Sequence, residues 1–239
     1  MKKQIPIKKL LPIYAAVLIG CLSAAHFGSN AVTVMVENAP ILNRTCIVVD
    51  AGHGGIDGGA TSCSGVLESK LNLEIALRLN DLLRFIGYDT LMVRTTDTSI
   101  YTEGNTIAAQ KVSDLKQRVK LVNETENGIL ISIHQNTFPD GRYSGTQVFY
   151  AADVQSHALA EKMQSAFVST LNPGSKRKCK PSDGIYLMQN IERSGILIEC
   201  GFISNAEEEA KLRNPEYQRR IACVIAATVS SSTADKIDM

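Results

Sequence analysis

The chain has 239 residues, 44% of them apolar, and a formal net charge of +1. This length and composition predict one domain of about 200 residues with a full core, once an exported leader is set aside. The near-neutral charge argues against a nucleic acid partner, since there is no basic surplus to neutralise phosphates.

The first segment predicts an export signal. Residues 1–9 carry four lysines and no acid, and Leu10–Leu22 is almost wholly apolar. Three outcomes stay open for this leader: an uncleaved membrane anchor, an ordinary cleaved signal, or lipidation of Cys21 in a lipobox-like motif. We therefore expect a protein outside the cytoplasm, membrane-anchored or secreted. The predicted boundaries are 1–28 for the leader, 29–44 for a linker, 45–230 for the domain and 231–239 for a polar tail.

Residues 46–59, CIVVDAGHGGIDGG, are the first informative stretch. Cys46–Val49 is a short run rich in β-branched residues, which is typical of a buried strand. His53 then follows the carboxyl end of that strand, where ligands collect in α/β sheets, and it lies among glycines that let a ligand approach the backbone. This pattern predicts a metal or substrate site.

The next predicted element is a helix over Val66–Ile86, with apolar residues three and four apart. Glu68 lies in its first turn. Two interpretations stay open for this carboxylate: it binds a metal, or it interacts with the helix dipole and the free amides of the helix N-terminus.

A strand over Tyr88–Val93 and a polar loop over 95–105 precede a second amphipathic helix, Thr106–Asn123. Arg118 and Asn123 on this helix can touch substrate, but an amphipathic helix favours solvated or capping roles, and we expect those.

A second strand that carries a histidine follows at Gly128–Asn136, GILISIHQN. Two histidines at two strand ends are rare by chance in a chain with four histidines, so His134 is the predicted partner of His53. His157 lies in a predicted helix, Gln155–Thr170, and is expected to be an ordinary surface or core-edge residue.

The last predicted strand, Ile196–Ile198, ends at Glu199. A carboxylate directly after a buried strand needs a partner, since its burial alone is costly, and this favours a functional role. The remaining predicted segments are strands at Gly145–Tyr150 and Ile185–Met188, a solvated basic run at Lys176–Lys180, and closing helices at Glu207–Arg213 and Pro215–Val229. This order predicts an α/β fold, a single domain with a mixed, largely parallel sheet flanked by helices.

The cysteines show no metal-binding or disulfide spacing. Cys46, Cys200 and Cys223 lie in apolar runs and are expected in the core. Cys63 lies between His53 and Glu68 and can reach a metal there, but its loop favours ordinary turn chemistry.

Four motifs, in order, carry a family resemblance: DAGHGGIDGGA, Glu68 at a helix start, SIHQN and LIECGFISN. They resemble the zinc-dependent N-acetylmuramoyl-L-alanine amidases of the amidase 3 family, from about Thr45 to about Val229. Within the family, the chain looks most like the spore-cortex amidases of the CwlD type. Family members commonly have a proline just before the last catalytic strand. This chain has Ser194-Gly195 there, and the glycine predicts added backbone freedom.

The resemblance implies that His53, Glu68 and His134 bind one Zn²⁺ and that Glu199 is the catalytic carboxylate. It implies hydrolysis of the amide between N-acetylmuramic acid and L-alanine of the stem peptide, in spore cortex maturation with muramic-lactam formation. The expected partners are peptidoglycan strands with stem peptides and an accessory or activator protein at the membrane, and the expected location includes the forespore cortex space. Two alternatives stay open: another zinc peptidoglycan hydrolase, a carboxypeptidase or deacetylase, or a noncatalytic wall-binding or regulatory protein.

Overall fold

The structure, a computed structural model, describes residues 45–234, and their strands form one sheet. The strands are β1 (Cys46–Ala51), β2 (Asp89–Met92), β3 (Gly128–Asn136), β4 (Gln147–Tyr150), β5 (Lys180–Pro181) and β6 (Ser194–Phe202). The helices are α1 (Glu68–Phe85), α2 (Ile107–Glu124), α3 (Val154–Thr170), α4 (Tyr186–Asn190), α5 (Ala206–Leu212) and α6 (Pro215–Ala234).

The sheet has the strand order β2-β1-β3-β6-β4-β5. β1 runs parallel to β2 and β3, and β3 runs parallel to β6. β4 is antiparallel to β6 and parallel to β5. The predicted α/β class with a mixed, largely parallel sheet is therefore confirmed. Because β1, β3 and β6 point the same way, their carboxyl ends meet at one edge of the sheet.

Helices cover both faces of the sheet, as the apolar strands require. Ile47 and Val49 of β1 contribute to a core layer shared with α1, α3 and α6, whereas Val48 contributes to a layer with α2 and α4. Most of the apolar stripe of α1 is fully buried, and burial of each such side chain contributes about 1.5–3 kcal/mol. Its fully buried members are Leu71, Ile75, Leu79 and Leu83.

One predicted strand is wrong. Residues 185–188 were expected to be extended, but Tyr186–Asn190 forms the short helix α4, which buries Leu187 and Met188 against the sheet. A run of a few apolar residues fits a buried strand and a buried helical turn equally well, so periodicity could not decide. Cys200 is buried as expected, whereas Cys223 lies on the exposed side of α6, which corrects its predicted core position.

The predicted leader and linker, 1–28 and 29–44, lie outside the described residues, as does Cys21. Helix α6 runs through Ala234 and so includes the first residues of the predicted polar tail. Between residues 45 and 234, no helix has the length and apolar character needed to cross a membrane.

Gly195, near the start of β6, is fixed by close contacts. Its amide donates to Ser156 Oγ over 2.7 Å, and its carbonyl accepts from the Ala151 amide over 3.1 Å. A Cβ at this position would lie 2.8 Å from Ile191 Cδ1 and 2.9 Å from Leu130 Cβ. The glycine thus serves close packing at the start of β6, and these contacts oppose the expected backbone freedom.

We predict that Gly195→Ala lowers the free energy of unfolding by about 1–3 kcal/mol, since the added methyl overpacks the core. Urea denaturation measures this loss. The same substitution in an Ile191→Val background should cost less, because valine lacks the Cδ1 atom that the new methyl would meet. Equal stability of Gly195→Ala and the parent would contradict the packing described here.

Candidate functional site

The carboxyl ends of three parallel strands bring the candidate residues together. His53 follows β1, His134 lies near the carboxyl end of β3, and Glu199 lies in β6. His134 and Glu199 are direct register partners, so their side chains project from the same face of the sheet. Glu68 reaches this edge from the first turn of α1.

Two imidazoles and one carboxylate form a cluster with the chemistry of a metal site. Glu68 Oε1 lies 3.3 Å from His53 Nε2 and 3.0 Å from His134 Nδ1. One donor atom from each of the three side chains lies within 4.8 Å of the other two, close enough for a single ion to contact all three. The two imidazole rings meet edge to face, with centroids 4.9 Å apart. The structure thus joins the three residues that the sequence singled out for metal binding.

Glu68 is buried and accepts hydrogen bonds beyond the cluster. The amides of Ala60 and Gln135 donate to its carboxylate over 3.0 and 3.1 Å. Burial by itself raises the pKa of Glu68, but hydrogen bonds and charges from the two imidazoles outweigh burial and hold that pKa well below its usual range. The carboxylate is therefore ionised, and its position at the start of α1 adds a favourable interaction with the helix dipole. Both interpretations of Glu68 fit this geometry.

His53 is oriented by a second carboxylate that sequence reasoning missed. Asp57 Oδ2 lies 2.8 Å from His53 Nδ1, and Asp57 Oδ1 lies 2.7 Å from Lys111 Nζ. Burial lowers the pKa of His53, but the hydrogen bonds and charges of Glu68 and Asp57 outweigh burial and raise it to about 9. At neutral pH both nitrogens of the ring thus carry a proton, and a metal ion would have to displace the proton from the nitrogen that it binds. A carboxylate four residues after a candidate ligand histidine was the available signal for Asp57.

Two glycines of the first motif make room for the cluster. A Cβ on Gly52 would lie 2.1 Å from His134 Nε2. A Cβ on Gly59 would lie 2.6 Å from Glu68 Oε2, and the φ of Gly59 is +67°. Side chains at these positions would occupy the space that the imidazole and carboxylate fill, which explains why glycine surrounds His53 in the sequence.

The structure contradicts the predicted role of Arg118. It was expected to be solvated or capping, yet it is only 2% exposed. Its guanidinium pairs with Asp50 and, over 2.6 Å, with Asp114, and it donates to the carbonyls of Ala51 and His53 over 3.1 and 2.7 Å. The bond to the His53 carbonyl matters because His53 has a φ of +62°, a left-handed conformation that costs free energy in a residue with a side chain.

Arg94 holds the same backbone from the other side. Its Nε donates to the Ala51 carbonyl over 2.8 Å, and its Nη2 donates to the carbonyls of Gly52 and Ser69 over 3.1 and 2.8 Å. It therefore ties the end of β1 to the first turn of α1. The sequence offered a signal here as well, since Arg94 directly follows a predicted strand and so reaches the same edge of the sheet.

Asp50 supplies the buried charge that keeps Arg118 in place. It is 1% exposed, and its Oδ2 accepts a hydrogen bond from Ser132 Oγ over 2.6 Å. Burial raises the pKa of Asp50, but the charge of Arg118 and the Ser132 hydrogen bond outweigh it and lower that pKa. This ion pair lies under the backbone that carries His53.

Glu199 has a different environment from Glu68. Its Oε2 atom is buried and has no hydrogen bond partner among the described residues. Burial raises the pKa of Glu199 to about 7, against the opposing charge of His134. A carboxyl group that can take up and release a proton near neutral pH, next to a metal-ligand cluster, is suited to general acid and base chemistry.

A cavity of about 400 Å³ opens beside the cluster on the α2 and α4 face. His53, His134 and Asp57 line one side of it, and Leu115 and Tyr186 line the other. This is room for part of a substrate next to the candidate ligands.

The other residues weighed in the sequence lie outside this cluster. His157 is exposed on α3, where its ring packs against Tyr150, and Cys63 is exposed and takes no part in the metal-ligand group. Asn123 has the expected capping role: its Oδ1 accepts from the Glu192 amide and its Nδ2 donates to the Asn190 carbonyl, at the end of α4.

Known proteins resemble this chain in sequence and in fold. The Amidase_3 family model, N-acetylmuramoyl-L-alanine amidase, matches residues 47–231. The germination-specific N-acetylmuramoyl-L-alanine amidase of Bacillus subtilis (strain 168) is 40% identical over 186 residues, which cover 77% of this chain and 78% of that relative.

Two solved structures share the fold over nearly their whole length. The CwlD amidase from Clostridioides difficile, in complex with the GerS lipoprotein, superposes with a TM-score of 0.76 at 33% identity, covering 80% of this chain and 99% of that chain. An N-acetylmuramoyl-L-alanine amidase from Clostridium difficile 630 gives a TM-score of 0.70 at 30% identity, covering 81% of this chain and 99% of that chain.

We predict that Arg118→Met lowers the free energy of unfolding by about 3–5 kcal/mol, because it leaves Asp50 buried without its cation. Urea denaturation measures the loss, and Lys116→Met on the exposed face of the same helix is the matched control, with an expected change within about 0.5 kcal/mol. The double variant Asp50→Asn with Arg118→Met should recover part of the loss. If Arg118→Met is as mild as the control, the ion pair does not hold this region.

Proposed function

The chain belongs to the family of N-acetylmuramoyl-L-alanine amidases, and we propose that the cluster at the sheet edge is its active site. There it hydrolyses the amide between the lactyl group of N-acetylmuramic acid and the L-alanine of the stem peptide. The observation that carries this proposal is the convergence of His53, Glu68 and His134 within 4.8 Å, with Glu199 beside His134 on the next strand.

The resident metal is proposed to be Zn²⁺, held by His53, Glu68 and His134. Two imidazoles and a carboxylate are a ligand set of hydrolytic zinc enzymes, and the short distances among these three side chains fit one ion. When bound, zinc lowers the pKa of a water molecule and polarises the scissile carbonyl. Asp57 holds the His53 ring through Nδ1, so Nε2, which faces Glu68, would be the nitrogen that binds the metal.

Glu199 is the proposed general base and then general acid. It accepts a proton from the attacking water and delivers this proton to the nitrogen of the leaving L-alanine. Its buried Oε2, which has no hydrogen-bond partner in the described part of the chain, and its raised pKa support this role, because such a carboxylate exchanges a proton readily near neutral pH. A serine or cysteine nucleophile is not required.

The biological setting is proposed from the relatives. The Bacillus relative is named germination-specific, and the Clostridioides neighbour is a CwlD amidase. We therefore assign the chain to spore cortex maturation, where cleavage of this amide precedes muramic-lactam formation. This requires a location outside the cytoplasm, which agrees with the predicted leader. The complex of CwlD with the GerS lipoprotein supports an accessory lipoprotein at the membrane as a partner.

We predict that His53→Ala, Glu68→Ala and His134→Ala each reduce zinc content far below about one ion per chain and abolish hydrolysis, since each removes a ligand. Metal analysis and product analysis of digested peptidoglycan give the two readouts, and intact stem peptides distinguish an amidase from a carboxypeptidase or deacetylase. His157→Ala, which changes an exposed histidine on α3, should affect neither. Full zinc occupancy in the His53 and His134 variants would contradict the assignment of these residues as ligands.

We predict that Glu199→Gln keeps zinc content near that of the parent while turnover falls by about 10² or more, the usual contribution of a positioned acid–base group. Glutamine preserves size and cannot accept the proton. Glu192→Gln is the matched control, because that carboxylate is exposed just before the same strand. A large loss of zinc in Glu199→Gln would make Glu199 a ligand, and unchanged turnover would remove it from the chemistry.

A further inference from the structure

A second, larger depression lies on the other side of Glu199 from the cavity beside His53. This groove has a volume of about 1040 Å³ and shares no lining residue with that cavity. Basic side chains outnumber acidic ones along it, where only Glu207 and Glu208 carry negative charge. The basic residues of the groove are Arg142, Lys176, Arg177, Lys178, Lys180 and Lys211.

Part of the groove wall is fixed by internal contacts. The Glu208 carboxylate accepts hydrogen bonds from the amides of Gly145 and Phe202 over 2.9 and 2.8 Å, so its negative charge is stabilised by the backbone of the domain. Arg177 donates to the Ser144 carbonyl over 3.1 Å and lies over the Phe202 ring at 5.0 Å. These contacts hold the wall in place, so the groove is a preformed surface of the domain.

Three lysines on this wall are available to a ligand. Exposure alternates along residues 176–180: Lys176, Lys178 and Lys180 are exposed, whereas Arg177 and Cys179 are partly buried. No carboxylate in residues 45–234 lies within ion-pair distance of these three lysines. Alternate residues of an extended chain are about 6.6 Å apart, and an extended peptide ligand repeats at the same interval. The row thus matches an extended, carboxylate-bearing chain better than one compact anion.

The groove begins one strand away from Glu199. Gln147 of β4 is the register partner of Glu199 and lines the groove, and its Nε2 donates to the Lys178 carbonyl over 2.7 Å. In the proposed reaction Glu199 delivers its proton to the nitrogen of the leaving peptide. His134, Glu199 and Gln147 are successive register partners across β3, β6 and β4, so a leaving peptide that extends from Glu199 across β4 reaches the lysine row.

We propose that this basic groove binds the carboxylates of the stem peptide, the leaving group of the reaction, in an extended conformation. The proposal rests on the proposed amidase function, because the stem peptide is the leaving group only in that reaction. The lysine row determines preference for peptides with free carboxylates and takes no part in the chemical step.

The test measures binding of the free stem peptide to the full chain with zinc added, by calorimetry. The parent should bind the peptide with free carboxylates more tightly than the same peptide with its carboxylates amidated. The variant Lys176→Gln, Lys178→Gln, Lys180→Gln should bind the free peptide about tenfold more weakly and lose this preference, since exposed ion pairs contribute modestly and additively. The parent's affinity should also fall as salt rises.

A second triple variant, Lys70→Gln, Arg84→Gln, Lys116→Gln, removes the same charge from exposed positions on α1 and α2 and should bind as the parent does. In hydrolysis, the groove variant should raise KM and leave kcat unchanged. Equal binding of free and amidated peptide by the parent would overturn the proposal, as would parental affinity in the groove variant. Retention of the protein on purified cell walls gives one more outcome. If the groove variant is retained less than the parent only on walls rich in phosphate polymers, the groove binds those polymers and the proposal is overturned. Failure of the amidase function itself would appear separately, as no stem peptide released by the parent.

Discussion

Two buried guanidinium groups hold the backbone that follows β1, and the candidate site depends on this constraint. The carbonyls of Ala51, Gly52 and His53 accept hydrogen bonds from Arg94 and Arg118, so the chain turns sharply with its polar groups satisfied. Asp50 supplies the opposite charge under this turn. Without these contacts the left-handed conformation of His53 would be costly, and the imidazole would not be held against Glu68. A single buried ion pair thus links strand packing to the position of a candidate ligand.

The two carboxylates of the site differ because their surroundings differ. Glu68 accepts hydrogen bonds from backbone amides and lies against both imidazoles, which outweigh burial and stabilise its charge. Glu199 is partly buried next to the same imidazoles, and its buried Oε2 has no hydrogen-bond donor within residues 45–234, so burial dominates and its pKa rises to about 7. Groups whose pKa values are pushed apart in this way divide naturally into a fixed negative ligand and a proton carrier. This division of roles agrees with the functions proposed for the two residues.

The strand order gives the site two unlike sides. On the side of β1, a cavity under α2 and α4 is lined by a mixture of apolar and polar groups, including Leu115 and Tyr186. Beyond β6, the groove along β4 and β5 is strongly basic. An amide substrate is itself asymmetric, with an acyl part and an amine part that leave in different directions. The proposed orientation, with the peptide towards the lysines, agrees with the strand order, in which Glu199 of β6 lies between His134 of β3 and Gln147 of β4.

The sequence by itself determined the class of fold, the family and the residues that meet at the site. Strands that end in His53, His134 and Glu199 had to converge, because parallel strands place their carboxyl ends at one edge. Only the tertiary structure decided the rest. Arg118 sits on a helix whose pattern fits a solvated residue, and its burial depends on Asp50, which is 68 residues away. The helical turn at Tyr186–Asn190 and the groove formed by Lys176–Lys180 depend in the same way on packing against distant strands. Local periodicity reports which face of an element is apolar, but the partner of a buried charge is set by contacts between elements far apart in the chain.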